Sequence, residues 1–179
     1  MENTTKSSKS YLQFGLFYAL VMILTFVIVY ALNIDLMKNK MIGTTSSILN
    51  YLFLPLLFIY LGCLEFKKNN NGFMSFVESL KVGVSIVFVA AIMFATFNVI
   101  FNLIFPEYTD EILKSTRAIM LEQNPNLTSE QLEMAVSMTK KFSAPWFSFP
   151  ITVAVFSFLG LFYSLIIGMI VKNDNPQGL

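Results

Sequence analysis

Histidine is absent from this chain, cysteine and tryptophan occur once each, and charged residues make up only 13% of it. Without histidine, the commonest metal ligand and the usual acid–base catalyst near neutral pH are missing. The single Cys63 cannot form an intramolecular disulfide and says nothing about redox compartment. A net charge of +1 with no basic stripe leaves no nucleic-acid footprint. There is no His-Glu-x-x-His zinc site, no Gly-x-Ser-x-Gly elbow and no phosphate-binding glycine loop. Serines and threonines occur in apolar runs, but no histidine, lysine or aspartate accompanies them there to activate them. The expectation is therefore no catalytic residue, no metal, no cofactor and no enzyme.

What is present is apolar bulk. Of 179 residues, 55% are apolar, with nineteen Phe and ten Met, and the length suits one domain. The charged share is about half that of a soluble domain. Mean hydropathy is +0.65. No Asp, Glu, Lys or Arg occurs between Lys9 and Asp35, Lys40 and Glu65, Lys81 and Glu107, or Lys141 and Lys172. Each interval exceeds the ~20 residues a helix needs to cross a ~30 Å hydrocarbon core. A soluble bundle would carry polar residues at helical spacing on each outer face; these segments are apolar all round. The chain is read as an all-α membrane protein with four transmembrane helices in one domain, residues 1–179.

The first span is expected at about residues 14–32, after a polar tail bearing Lys6 and Lys9. Its apolar run is too long for a signal-peptide h-region, and Tyr30-Ala31-Leu32-Asn33 lacks a small-x-small cleavage pattern, so it is read as an uncleaved span. A polar connection, residues 33–47, leads to the second span at about 48–64. Pro55 near its middle predicts a packing kink, tolerated in membranes when neighbours satisfy the freed carbonyl. Lys67-Lys68-Asn69-Asn70-Asn71-Gly72 reads as an exposed turn. The third span is expected at about 82–105, closed by Pro106, with Glu78 and Lys81 at its entry read as an interfacial ion pair. Trp146, Phe147 and Phe149 form an aromatic belt before the fourth span, about 150–171.

Between the last two spans lies a polar segment, residues 106–146, expected to hold short amphipathic helices on the membrane surface or over the bundle. Ile112, Leu113, Ile119 and Met120 repeat at seven, and Asp110 and Lys114 are an i,i+4 pair. After Asn124-Pro125-Asn126, Thr128 and Gln131 form a capping-box pattern that places Leu132, Ala135, Val136 and Thr139 on one face. Both termini and the connection after the second span share one side, with six Lys; the other side carries five Lys and one Arg over a longer stretch. Lysine density places both termini in the cytoplasm, although Lys140 and Lys141 oppose this.

Two constellations stand out inside the spans. Gly160, Ser164 and Gly168 sit four apart on one face of the fourth span and suit close helix approach. Contact within the monomer is favoured over a dimer interface. Gly15 with Ala19, and Ala91 with Ala95, are lesser candidates for the same role. Asn98 and Asn102 share a face of the third span; interhelical hydrogen bonding is favoured over a polar lining for a small solute. No span carries a charge near its centre, which disfavours ion-coupled transport and proton relays.

At Gly72-Phe73-Met74-Ser75-Phe76, followed by Lys81-Val82-Gly83, the chain resembles the domain-of-unknown-function family 4199. The resemblance extends to the span order, a helical acidic segment before the fourth span and a glycine-containing last span. It departs in its thin terminal basic cluster, one Lys172 followed by Asn173-Asp174-Asn175. It implies small bacterial membrane proteins, mainly of the Bacteroidetes group, and a cytoplasmic membrane; it assigns no catalytic residue. The expected partners are the lipid bilayer and either another protein or a second copy of the chain, with no nucleic acid. The leading expectation is a non-enzymatic scaffold or accessory subunit that binds a partner through the 108–142 helices. A small-solute transporter or channel component is the alternative.

Overall fold

The computed structural model describes residues 11–36 and 38–175; Lys6 and Lys9, assigned above to the cytoplasmic side, lie outside the described residues. In chain order the helices are α1 (Leu12–Ala31), α2 (Lys40–Ile48), a π-helical turn (Leu49–Phe53), α3 (Leu54–Asn69), α4 (Phe76–Ile104), α5 (Pro106–Gln123), α6 (Ser129–Ser143) and α7 (Pro145–Val171). Among the described residues no strand forms beyond one antiparallel bridge, Met74 with Asn173. α2, the π turn and α3 run on as one 30-residue helix, so four helices among the described residues are long and apolar enough to cross a membrane. Their outer faces carry Phe17, Leu24, Ile28, Phe158 and Ile170 exposed, as lipid contact requires.

α4 is the hub. It packs most extensively on α7, then on α1, then on α3. The core, among Tyr18, Ile59, Cys63, Val82, Ile86, Val87, Ala90 and Ala91, is fully or almost fully buried. It lies nearer the side that holds the end of α3, the start of α4 and the end of α7.

The entry to α4 explains the Gly-x-x-Ser-Phe stretch. Asn71 and Gly72 take positive φ, 52° and 83°, which turns the chain tightly after α3. Met74 and Asn173 exchange backbone hydrogen bonds of 2.9 and 2.8 Å, and the Asn173 amide donates to Gly72 O at 3.0 Å. Lys67 Nζ donates to Val171 O at 3.0 Å, placing a cation on the carbonyl end of α7. Ser75 then caps α4. Its hydroxyl accepts from Glu78 N at 3.2 Å, while Glu78 Oε2 accepts from Ser75 N at 2.7 Å. This corrects the reading of Glu78: its carboxylate closes a capping box, and no ion pair with Lys81 forms. Asp110 and Lys114 likewise form no ion pair.

The connection expected at residues 33–47 is also corrected, because its second half is helical. Asn39 caps α2 by accepting from Ile42 N at 3.3 Å. Its polar residues return to the helix's own carbonyls: Ser47 Oγ donates to Gly43 O at 2.9 Å and the Asn50 amide to Ser46 O at 2.8 Å. Polar groups satisfied in this way can stay helical at the edge of a bilayer.

Candidate functional site

Gly160, Ser164 and Gly168 of α7 face Val87, Gly83 and Ser79 of α4 in antiparallel register. A Cβ built on Gly160 would lie 2.8 Å from Val87 Cβ, one on Gly83 2.0 Å from Ser164 Oγ, and one on Gly168 2.3 Å from Ser79 Oγ. The two buried hydroxyls do not bridge the helices. Ser164 Oγ donates to Gly160 O at 2.5 Å and Ser79 Oγ to Phe76 O at 2.6 Å. Close packing, rather than interhelical hydrogen bonding, therefore holds α4 to α7. α1 approaches α4 in the same manner, since a Cβ on Gly15 would meet Ile86 O at 2.7 Å. Ala19, Ala91 and Ala95 are buried as well. The α4 row at 79, 83 and 87 was not singled out above, although its spacing of four is visible in the sequence.

Asn98 and Asn102 do not reach another transmembrane helix. The Asn98 amide donates to Phe94 O at 3.0 Å and the Asn102 amide to Asn98 O at 2.8 Å. Asn102 Oδ1 accepts from Thr109 Oγ1 at 2.9 Å, which fastens α5 to the end of α4. Both asparagines are half-buried, and neither lines either of the two cavities described below.

At Pro55 the second long helix opens. Proline offers no N–H, so in α register it leaves Tyr51 O without a donor, and in π register Asn50 O. The Leu54 N–H is already committed to Leu49 O. Two tyrosines from flanking helices supply the missing donors: Tyr18 of α1 to Asn50 O and Tyr163 of α7 to Tyr51 O, both at 2.8 Å. Both tyrosines are buried, and each hydroxyl satisfies a carbonyl left open at the turn.

Beyond the π turn, α2 buries no residue and makes no extensive contact with another helix. The gap between α2, α1 and α4 is a cleft of about 660 Å³. Met22, Phe26, Val29 and Phe94 form one wall, and Thr44, Ser47 and Asn50 the other, with Lys40 at the mouth. A second cavity of about 490 Å³, lined by Asn33, Asp35, Glu111 and Ser115, adjoins it through the shared Val29, Leu36 and Tyr108. Aromatic rings prop the cleft open. Phe26 meets Phe101 edge-on at 4.9 Å, and Tyr30 meets Tyr108 edge-on at 5.7 Å. Ser115 Oγ donates to Asp35 Oδ2 at 2.9 Å, joining α5 to the α1–α2 connection. Burial, the neighbouring Glu111 carboxylate and Tyr30 all raise the Tyr108 pKa.

α5 and α6 form a helical pair outside the spans. Arg117 and Glu133 join them by an ion pair, and Thr128 and Gln131 form the capping box. Leu132 is buried and Ala135, Val136 and Thr139 half-buried on the inner face of α6. Its outer face exposes Met134, Met138 and Phe142. At the re-entry, Trp146 is 87% exposed and Lys141 Nζ lies 5.4 Å from the Phe147 ring centroid.

Four long apolar helices with lipid-facing outer surfaces, packed through small-residue seams, define a multi-pass membrane protein. The family model described as "Protein of unknown function (DUF4199)" matches residues 13–173, and the chain belongs to that family. No curated protein and no solved structure matches it.

Proposed function

We propose that the chain is a non-enzymatic scaffold or accessory subunit of a bacterial cytoplasmic membrane, and that α5–α6 hold its protein partner. The observation that carries this reading is the outer row of α6. Met134, Met138 and Phe142, at spacing four, are 58%, 53% and 51% exposed on a segment outside the four spans. Exposed apolar rows framed by charged residues, here Glu130, Glu133, Lys140 and Lys141, are typical of contact surfaces. Adaptable methionines suit such a surface. Both termini are assigned to the cytoplasmic side, supported by Lys67, Lys68, Lys81 and Lys172 close to span ends. Small-solute transport is the weaker reading, because the Asn98 and Asn102 amides are spent on their own helix.

The test is crosslinking in native membranes with mass-spectrometric identification, comparing wild type with Met134→Glu, Met138→Glu and Phe142→Glu combined. The triple variant leaves the Thr109–Asn102 and Ser115–Asp35 ties in place, so insertion and folding are retained. Loss of a crosslinked protein supports the proposal, and an unchanged crosslink pattern defeats it.

A further inference from the structure

We infer that the cleft beside α2 holds one zwitterionic, amine-bearing glycerophospholipid drawn from the leaflet on the α5–α6 side. Depth comes first. From Lys40 to Tyr51, both on the cleft lining, the helix rises about 16 Å at ~1.5 Å per residue. That is about half of a ~30 Å hydrocarbon core, the thickness that one leaflet's acyl chains fill. The volume, about 660 Å³, takes the headgroup, the glycerol and the upper part of the acyl chains, while the rest of the lipid stays in the leaflet.

The walls have the polarity profile of such a molecule. Met22, Phe26 and Phe94 are apolar where acyl chain would lie. Thr44 and Ser47 stand one and two turns below Lys40, at the level of glycerol ester carbonyls. Above them the charges are separated by sign. Lys40 lies on the deep cleft and makes no ion pair among the described residues. Glu111 lies on the adjoining cavity and makes none either. Asp35 stands beside it, with its carboxylate taken by Ser115 and Lys38. A phosphate on Lys40 and a primary ammonium on Glu111 would satisfy both free charges with one headgroup. A quaternary ammonium has no N–H to donate, and an anionic glycerol headgroup would meet Glu111 with the wrong sign.

The experiment is native mass spectrometry of the full chain released from detergent micelles, supplied in turn with phosphatidylethanolamine, phosphatidylcholine and phosphatidylglycerol. One retained phosphatidylethanolamine per chain is expected, in preference to the other two. Glu111→Gln and Lys40→Gln should each weaken that preference roughly two- to fivefold, the range for partly exposed charge pairs. Ser47→Phe fills the cleft from a helix that buries nothing, so the chain folds and the bound lipid is lost. Equal retention of all three lipids, no retained lipid, or variants that bind like wild type would each overturn the assignment.

Discussion

The two ends of this bundle are built on opposite rules. On the side of the α3–α4 connection, Ser79, Gly83 and Val87 meet Gly168, Ser164 and Gly160 so closely that added methyl groups have no room. On the other side, Phe26, Tyr30, Phe101 and Tyr108 stand between the helices, and α2 leans away with nothing buried. Lipid offers no hydrophobic drive to close a gap between helices, so contact follows wherever side chains let backbones approach. Small residues produce a seam, whereas large rings and a proline-centred opening produce a cleft. The hydrogen bonds that keep the opening intact come from the closed end's own helices, through Tyr18 and Tyr163.

The sharpest way to break this contrast is to add one methyl group at the seam. In Gly83→Ala the new Cβ would meet Ser164 Oγ at 2.0 Å, Ser164 Cβ at 2.9 Å and Ile59 Cγ2 at 2.9 Å. Overpacking of this kind costs about 1–3 kcal/mol, more than the ~1 kcal/mol that alanine gains over glycine in a helix. A clear drop in unfolding midpoint in mixed micelles is expected. Adding Ser164→Gly should recover part of it, with a coupling of about 0.5–3 kcal/mol. The far larger change Ser47→Leu on α2 should change stability by less than about 0.5 kcal/mol, since it points into an open cleft on a helix that buries no residue. Equal effects at both ends would remove the distinction.

A smaller effect tests the opening itself. Tyr18→Phe and Tyr163→Phe each strip the donor from a carbonyl at the π turn before Pro55. Each should cost about 0.6–1.7 kcal/mol, as for hydrogen bonds between membrane helices. In a Pro55→Ala background the one restored N–H can serve either Tyr51 O or Asn50 O, so one of the two substitutions should cost markedly less. A double-mutant cycle by unfolding in micelles measures the difference. No coupling between Pro55 and the tyrosines would show that the hydroxyls are bystanders.

Smaller again is the expected effect at the α4–α5 corner. Asn98→Leu removes only a bond to its own helix and should be nearly neutral. Asn102→Leu also frees Thr109 and should cost about 0.6 kcal/mol, with faster amide exchange at the start of α5. Undiminished solute flux in liposomes carrying both substitutions would dispose of an asparagine-lined path.

These regions differed in legibility for physical reasons. Charge-free intervals give the spans directly, because burying a charge in hydrocarbon is costly whatever the fold. The α7 row was legible because glycine and serine four apart leave few other uses for a helix face. The matching row on α4 was equally regular, but Val87 at its end hides it among other apolar residues. The extension of the second helix back to Lys40 was obscured by Gly43-Thr44-Thr45-Ser46-Ser47, which reads as a loop. Its helicity rests on the Asn39 cap and on hydroxyls that bond back to the helix. Pro55 announces freed carbonyls, but only tertiary structure shows that Tyr18 and Tyr163 reach them. The cleft has no motif at all, since Met22, Lys40, Phe94 and Tyr108 come from four separate stretches.

The smallest expected effect lies where the open end meets water. Tyr108 ionises above the ordinary tyrosine value of about 10, because burial, Glu111 and then Tyr30 all oppose its anion. Folding therefore favours the neutral phenol. That contribution is fully present below about pH 10 and is lost as pH rises through the folded-state pKa. At neutral pH, Tyr108→Phe should lose little beyond the hydroxyl, because the ring contacts with Phe26, Tyr30 and Phe101 are retained. In alkali the wild type should lose more stability at this corner than the phenylalanine variant. Glu111→Gln should narrow the gap by lowering the tyrosine pKa. Tyrosinate absorbance followed alongside unfolding in micelles measures both quantities. Identical alkaline profiles for wild type and Tyr108→Phe would mean that this corner is already wet, and that rings alone do not hold the cleft apart.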